Sequence, residues 1–193
     1  MILGSSSPRR REILNYFSLP FEQIPSDFDE DTVIFGGDPQ KYACTLAEKK
    51  AEVLAERFPE DWILTADTIV YFKGKLYNKP KDASEAFQFL SELSGNWHQV
   101  FTALTIQKGA VRHTAIEETK ILFHPLTPQQ IRAYHEHCSC LDKAGGYAIQ
   151  QGGCVIVASI VGCYYNVMGL PVNTLQQVLL KAGIDLWKFL KKF

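Results

Sequence analysis

Residues 62–72 read Trp62-Ile63-Leu64-Thr65-Ala66-Asp67-Thr68-Ile69-Val70-Tyr71-Phe72. The two apolar runs in this stretch, 62–66 and 69–72, predict two strands separated by Asp67 and Thr68. An acid amid apolar residues is costly to bury unless it is paired or bound to a metal ion. Asp67 could be a strand-end residue that shapes a turn. We favour a functional carboxylate at the tip of a strand, placed to hold Mg²⁺ or to accept a proton from water.

Helices and strands alternate on both sides of this stretch. Helix starts are marked by capping residues and by proline at the first helical position. The predicted helices begin at Pro8, Pro39, Asp82, Thr127 and Leu170. The other predicted strands cover residues 21–25, 99–107, 114–123 and 155–161. Because several strands are joined by short turns, we expect an α/β fold with a mixed sheet flanked by helices.

The composition is that of an ordinary globular protein. A chain of 193 residues, 46 % of them hydrophobic, suits one domain or a compact two-lobed unit. The net charge of −1 argues against a nucleic-acid binder that depends on bulk positive charge. Five scattered cysteines favour a reducing compartment over a disulfide framework. No apolar run approaches the ~20 residues of a transmembrane helix, so we expect a cytoplasmic protein without a membrane partner.

Three arginines, Arg9 to Arg11, open the first predicted helix. The start of a helix already carries partial positive charge, so this arrangement favours an anion nearby. Ser5-Ser6-Ser7 adds hydroxyl and backbone donors, and Arg9 and Arg10 add planar donor forks, which together could hold phosphate oxygens. A solvated basic turn with capping serines is the alternative, and the local sequence does not separate the two.

Charged residues elsewhere give weaker signals. Four carboxylates in 27–31 could help to hold a divalent cation, although charge runs are usually just solvated. Lys50 and Lys79 could meet a phosphate, although most lysines are simply surface residues. The sequence has no P-loop, no dinucleotide-binding glycine motif and no nucleophile elbow.

Short motifs that resemble one family occur along nearly the whole chain. They are Ser5-Ser6-Ser7-Pro8-Arg9-Arg10, Asp29-Glu30, Lys50-Ala51, Ala66-Asp67-Thr68, Lys79-Pro80, Leu93-Ser94-Gly95 with His98 and Val100, Asp142-Lys143-Ala144-Gly145-Gly146-Tyr147-Ala148-Ile149-Gln150, and Gly169-Leu170-Pro171. In their joint order and spacing they resemble the Maf family of nucleotide pyrophosphatases.

The resemblance implies a single Maf-like domain over residues 1–193, with a mixed twisted sheet and two lobes around a cleft, similar to inosine triphosphate pyrophosphatase. It also implies a divalent cation, Mg²⁺ or Mn²⁺, and a homodimer. The form of residues 142–150 is similar to that of members acting on dTTP and UTP. The expected reaction converts these nucleotides to the monophosphate and pyrophosphate.

Functional residues follow from the resemblance position by position. Asp67 matches the catalytic acid and, with Glu30, the metal ligands. Substrate choice is assigned to Arg9, Thr68 and Gln150, and the Gln150 amide could match the N3–H and O4 edge that uracil and thymine share. The residues expected to bind phosphate or other parts of the substrate are Ser7, Arg10, Lys50, Lys79 and Lys143.

Three positions depart from the family pattern. Ser139 replaces a glutamate of many relatives, Gln151 replaces a glycine, and Asn78 replaces a glycine or an acid. These departures bear on metal affinity and pocket shape more than on the reaction type. Two other functions remain open at this point: a nucleotide-binding regulator of septum formation and cell division with vestigial catalysis, and a pyrophosphatase for 7-methyl-GTP or other purine triphosphates.

Overall fold

The computed structural model describes residues 1–150 and 152–192. The strands are β1 (Ile2–Gly4), β2 (Glu22–Gln23), β3 (Ile63–Phe72), β4 (Lys75–Tyr77), β5 (Trp97–Lys108), β6 (Val111–Phe123) and β7 (Val157–Val161). The helices are α1 (Pro8–Leu14), α2 (Pro39–Arg57), α3 (Ala83–Leu93), α4 (Pro128–His137), α5 (Gly153–Ile156), α6 (Tyr164–Val167) and α7 (Val172–Lys181). Gln151, one of the three departures, lies outside the described residues.

The strands form one mixed sheet in the order β2-β1-β3-β5-β6-β7, with β4 paired to β3. β1 runs parallel to both β2 and β3. β4 is antiparallel to β3, and β7 is antiparallel to β6. A two-residue turn at 109–110 joins β5 to β6, a connection that only antiparallel neighbours allow. The α/β class and the mixed sheet predicted from the sequence are confirmed.

The stretch 62–72 forms one continuous strand, so the prediction of two strands interrupted at Asp67 was wrong. Its first half pairs with β1, from Ile63 to Thr65, and its last three residues pair with β4. Asp67 therefore stands in the middle of β3, not at its tip. Tertiary pairing on both halves of the strand overrides the local break that a buried acid would otherwise favour.

Helix starts follow the capping chemistry read from the sequence. Ser7 and Asp38 cap α1 and α2, and proline occupies the first turn of each helix. Asp82 caps α3, and Thr127 forms a complete capping box with Gln130 at the start of α4. In each case a side-chain oxygen accepts a backbone N–H that the helix cannot satisfy itself.

Some predicted boundaries were wrong. The helix predicted to begin at Pro8 ends at Leu14, and the strand expected over 21–25 is only Glu22–Gln23. The β run expected from Val155 begins at Val157, because residues 153–156 form α5. Boundaries are weakly encoded by local sequence, since element ends depend on what the chain packs against next.

The chain divides into two compact units. The first contains Met1–Asp67, Thr102–Glu117 and Gly169–Phe193, and the second contains Thr68–Phe101 and Glu118–Met168. In the first unit, Ile2, Leu54 and Ile63 belong to a fully buried cluster that joins β1 and β3 to α2. The second unit packs α3 against α4 and against the short 3-10 helix Ala144–Gly146. One domain over residues 1–193 stays a prediction.

Across the described residues, every helix is too short or too polar to cross a membrane.

Candidate active site

Asp67 lies on the face of β3 that packs against α2. Thr65 and Asp67, two residues apart on β3, share one face of the strand, and Ala47 and Lys50, three residues apart on α2, share one face of the helix. Accordingly, Thr65 Oγ1 donates to Ala47 O at 2.7 Å, and Lys50 Nζ donates to Asp67 Oδ1 at 2.6 Å. Asp67 is 5 % exposed and Lys50 is 8 % exposed. The strand–helix contact thus buries an ion pair.

A second carboxylate joins this pair. Glu30 begins the 3-10 helix Glu30–Thr32, which Asp29 caps by accepting from Asp31 N. Its Oε1 lies 2.8 Å from Lys50 Nζ. One ammonium therefore contacts two carboxylates that are 37 residues apart in sequence.

Burial raises the pKa of the Asp67 carboxyl above its ordinary value. The Lys50 ammonium opposes this shift, Glu30 adds to it, and Lys50 hydrogen bonding and the Arg10 charge oppose it again. A carboxylate whose pKa lies above the usual range is a better proton acceptor than an exposed one, because basicity rises with pKa. Asp67 therefore combines burial, a fixed cation and raised basicity, a combination more often found at functional sites than elsewhere.

The loop after β1 is ordered by Arg10. Arg10 Nη1 donates to Ser5 Oγ at 3.0 Å, and Arg10 Nε donates to Gly169 O at 2.9 Å. Ser7 N donates to Ser5 Oγ at 3.2 Å. Burial lowers the pKa of the Arg10 guanidinium and Asp67 partly restores it, so these two charges act on each other. At least two of the Arg10 donors order the protein itself, whereas the prediction assigned this residue to phosphate.

Gln23 supports the same loop, and sequence reasoning missed it. Its Nε2 donates to Ser5 O at 2.7 Å and to Ser7 O at 3.3 Å. Gln23 belongs to β2, which pairs in parallel with β1. A lone glutamine in a two-residue strand carries no local signal of such a role, because the contact exists only once β1 and β2 are paired.

Tyr42 was also missed. It lies on α2, and burial raises the pKa of its phenol, with further increases from Asp67, Glu30 and Asp31. Its ring packs edge-to-face on Phe35, with centroids 5.5 Å apart. Tyr42 precedes Lys50 by eight residues, about two helical turns, so helical periodicity was the signal that could have found it.

The donor chemistry fits a Mg²⁺ or Mn²⁺ ion held by few protein ligands. Both Lys50 contacts are carboxylate oxygens, which such cations prefer, and both oxygens lie within 2.8 Å of one nitrogen. Within residues 1–150 and 152–192, no group of three or more His, Cys, Asp or Glu is arranged to hold a metal ion. Mg²⁺ usually takes one or two carboxylates and completes its shell with water and substrate phosphates. Glu30 and Asp67 suit that mode.

The remaining predicted residues belong to the second unit, except Arg9. Thr68 follows Asp67 on β3, so its side chain leaves the opposite face of the strand. Lys79 is exposed, and Gln150 is half-buried. Lys143 Nζ donates to Ser139 O at 2.6 Å and to Asp142 Oδ1 at 2.5 Å.

Two tyrosines hold the segment that carries Gln150. Tyr147 OH lies 2.8 Å from His98 Nε2, and Tyr134 OH donates to Ala148 O and accepts from Ala148 N. Gly145 has φ +76, and a Cβ there would lie 2.9 Å from the Tyr147 ring. Segment 144–149 is therefore held by the hydrogen bonds of Tyr147 and Tyr134 and packs so closely at Gly145 that a larger residue would clash.

A profile of the Maf family, described as Maf-like protein, matches residues 1–182. The chain belongs to the Maf family. This Maf protein is 44 % identical to the dTTP/UTP pyrophosphatases of Chlamydia caviae and Chlamydia felis over 98 % of its length and 97 % of theirs. It is 43 % identical to the dTTP/UTP pyrophosphatase of Clostridium perfringens over 93 % of this chain and 95 % of that protein.

A solved structure of a nucleoside-triphosphatase / dITP/XTP pyrophosphatase from Mycobacterium abscessus has 12 % sequence identity to this Maf protein and a TM-score of 0.40. The similarity covers 70 % of this chain and 93 % of that one.

The structure brings three of the predicted residues, Glu30, Lys50 and Asp67, into direct contact, and the Arg10 charge acts on two of them. At two of the three departures, Ser139 and Asn78, the backbone carbonyl accepts a hydrogen bond. Ser139 O accepts from Lys143, and Asn78 O accepts from Gly145 N at 3.2 Å. Both contacts use backbone carbonyls, which any residue supplies.

Proposed function

We propose that this Maf protein hydrolyses dTTP and UTP between the α and β phosphates, releasing the nucleoside monophosphate and pyrophosphate. The names of its relatives support this substrate class. The observation that carries the proposal is the buried Asp67 carboxylate, which the Lys50 ammonium holds beside Glu30. Hydrolysis of a phosphoric anhydride requires a positioned water and balanced charge, and this cluster offers both a base and a fixed cation.

Asp67 is the group that acts on the attacking water. Its raised pKa suits it to accept the proton of that water, and as a metal ligand it would orient the same water. Burial excludes solvent water from the carboxylate, so its charge interacts strongly with nearby charges. Before the substrate binds, Lys50 holds Asp67 in place through the contact at 2.6 Å.

Glu30 and Asp67 are the residues that would hold Mg²⁺ or Mn²⁺. When bound, such a cation offsets the negative charge of the leaving pyrophosphate and lowers the pKa of a coordinated water. The protein would supply few ligands of its own, so triphosphate oxygens and water would complete the coordination shell.

Ser7, Arg9 and Arg10 lie on one loop and the first turn of α1, and we assign the triphosphate to this segment. Gln23 keeps the Ser5 and Ser7 carbonyls fixed, which prepares the loop for an anion before it arrives. Lys79 and Lys143 are assigned to substrate binding. Lys143 would exchange its contacts with Ser139 and Asp142 for phosphate or base.

Gln150, Thr68 and Arg9 are assigned to substrate choice. A primary amide donates and accepts at once, so Gln150 matches the donor and acceptor edge that uracil and thymine share. Tyr147 and Tyr134 fix the segment before Gln150, so its amide is presented with little freedom. The proposal includes a homodimer located in the cytoplasm, with a nucleoside triphosphate as ligand and neither nucleic acid nor membrane as partner.

The test is a triphosphate panel with identified products. Purified protein with Mg²⁺ or Mn²⁺ is expected to release pyrophosphate from dTTP and UTP, and Asp67→Asn should slow this by at least about a hundredfold. Asp61→Asn is the matched control, because Asp61 lies in the turn before β3 and outside the cluster. Binding of UTP without formation of UMP would favour a nucleotide-dependent regulator instead. A preference for 7-methyl-GTP or inosine triphosphate would favour the purine alternative.

A further inference from the structure

Lys50 occupies the point on which the two proposed metal ligands converge. Its ammonium lies 2.6 Å from Asp67 Oδ1 and 2.8 Å from Glu30 Oε1. Lys50 extends from the buried face of α2, between Ala47 and Ala51, so its long side chain is confined by apolar neighbours. The ammonium thus acts as a built-in cation for the two carboxylates.

A divalent cation would compete with Lys50 for the same oxygens. If the ammonium stayed in contact, it would lie within a few ångströms of the divalent cation. Like charges at such separations repel each other strongly even in a partly polar environment. If the ammonium moved away, it would be a buried charge without its counter-ions, which is also costly. Either way, binding of the metal ion alone is opposed.

A triphosphate removes this obstacle, because it offers Lys50 an anionic partner at the moment when the carboxylates turn to the metal ion. We infer that Lys50 exchanges its contacts with Glu30 and Asp67 for the triphosphate, and that this exchange makes metal and nucleotide binding mutually dependent. The inference rests on the proposed function for the identity of the nucleotide. Such coupling is reciprocal: each ligand must tighten the binding of the other by the same factor.

A purely structural Lys50 gives different expectations. If the ammonium only neutralised Asp67 and remained in place throughout, its removal would expose two like charges and weaken folding. It would not couple the metal ion to the nucleotide. The exchange proposed for Lys50 is therefore visible in binding measurements, independently of the reaction rate.

The experiment measures Mn²⁺ binding from the electron paramagnetic resonance signal of the unbound ion. Wild-type protein is titrated alone and with a UTP analogue that carries a methylene group between the α and β phosphorus atoms, so that no hydrolysis occurs. The Mn²⁺ that the analogue binds without protein is measured separately and subtracted. We expect the analogue to tighten Mn²⁺ binding by about ten- to a hundredfold. A change below threefold in the wild type overturns the inference, whatever the variants do.

Two lysine variants assign the effect to Lys50. Lys50→Met removes the charge and keeps the length of the side chain, so it should bind Mn²⁺ without nucleotide at least about tenfold more tightly than the wild type. Its analogue-dependent tightening should be smaller than in the wild type. Lys49→Met is the matched control, because Lys49 precedes Lys50 on α2 but is exposed and pairs with half-buried Glu52 at 2.8 Å. Lys49→Met should leave both quantities unchanged.

The outcomes separate this inference from the proposed function. Equal Mn²⁺ affinities in wild type, Lys50→Met and Lys49→Met would refute the exchange even if UTP is hydrolysed. Conversely, tighter Mn²⁺ binding in Lys50→Met together with a wild type that forms no UMP from UTP would preserve the exchange and refute the hydrolase. Glu30→Gln tests whether Mn²⁺ binds at these two carboxylates. The Mn²⁺ affinity that changes in Lys50→Met should weaken when the Glu30 carboxylate is lost.

Discussion

His98 provides a test of the second unit that is independent of substrate. It lies near the start of β5, is 2 % exposed, and its Nε2 is 2.8 Å from Tyr147 OH. Its ring also packs edge-to-face on Phe123, with centroids 4.6 Å apart. We predict that the wild type loses stability on mild acidification relative to His98→Gln, which has no imidazole to protonate.

The magnitude follows from the pKa of His98. Burial lowers this pKa from 6.5 to about 4, and the Asn96 backbone opposes the shift only in part. Between these two values the unfolded chain binds a proton that the folded chain does not bind. The free energy of unfolding therefore falls as the pH drops through this window. The loss attributable to His98 should be about 2 kcal/mol at pH 5 and approach about 3 kcal/mol near pH 4.

Urea unfolding at a series of pH values between 7.5 and 4.5 checks this prediction, with each stability of His98→Gln subtracted from that of the wild type. The subtraction cancels the effects of other titrating groups, including Asp67, because distant sites contribute additively. His124→Gln controls for the loss of a histidine as such, since His124 is exposed. A wild-type-minus-His98→Gln difference that stays constant with pH would refute the assignment of the buried neutral imidazole.

The other predictions concern the glycine turn and substrate choice. Gly145→Ala should cost about 1–3 kcal/mol more than Gly74→Ala, because both glycines have positive φ but only at Gly145 would a Cβ meet Tyr147. Urea unfolding of the two variants measures this difference, and equal costs would contradict the proposed clash. Gln150→Ala should reduce the preference for UTP over purine triphosphates more than it reduces triphosphate binding. The ratio of kcat/KM values checks this, and an equal loss for all substrates would contradict the role of the amide.

Local sequence was sufficient wherever the deciding interactions are short-range. The helix starts at Pro8, Pro39, Asp82 and Thr127 were predictable because the side chain of each capping residue bonds to a backbone N–H two or three residues further on. Asp67 was identified as unusual because an acid in an apolar run has few inexpensive explanations. Even so, the strand break placed beside it was wrong, since pairing with β1 and β4 carries β3 through this position.

The sequence by itself determined the family, the α/β class and most helix starts, because these depend on motif order and on contacts within one turn of chain. Only the tertiary structure decided that Lys50 contacts both Glu30 and Asp67. It also decided that Gln23 donates a hydrogen bond to Ser5 O in the loop after β1. The residues involved are separated by many positions, so their distances depend on how α2 and β2 pack on the sheet. Lys50 and Asp67 meet in a buried position of low dielectric only after folding, and Glu30 contacts the same ammonium from an exposed position.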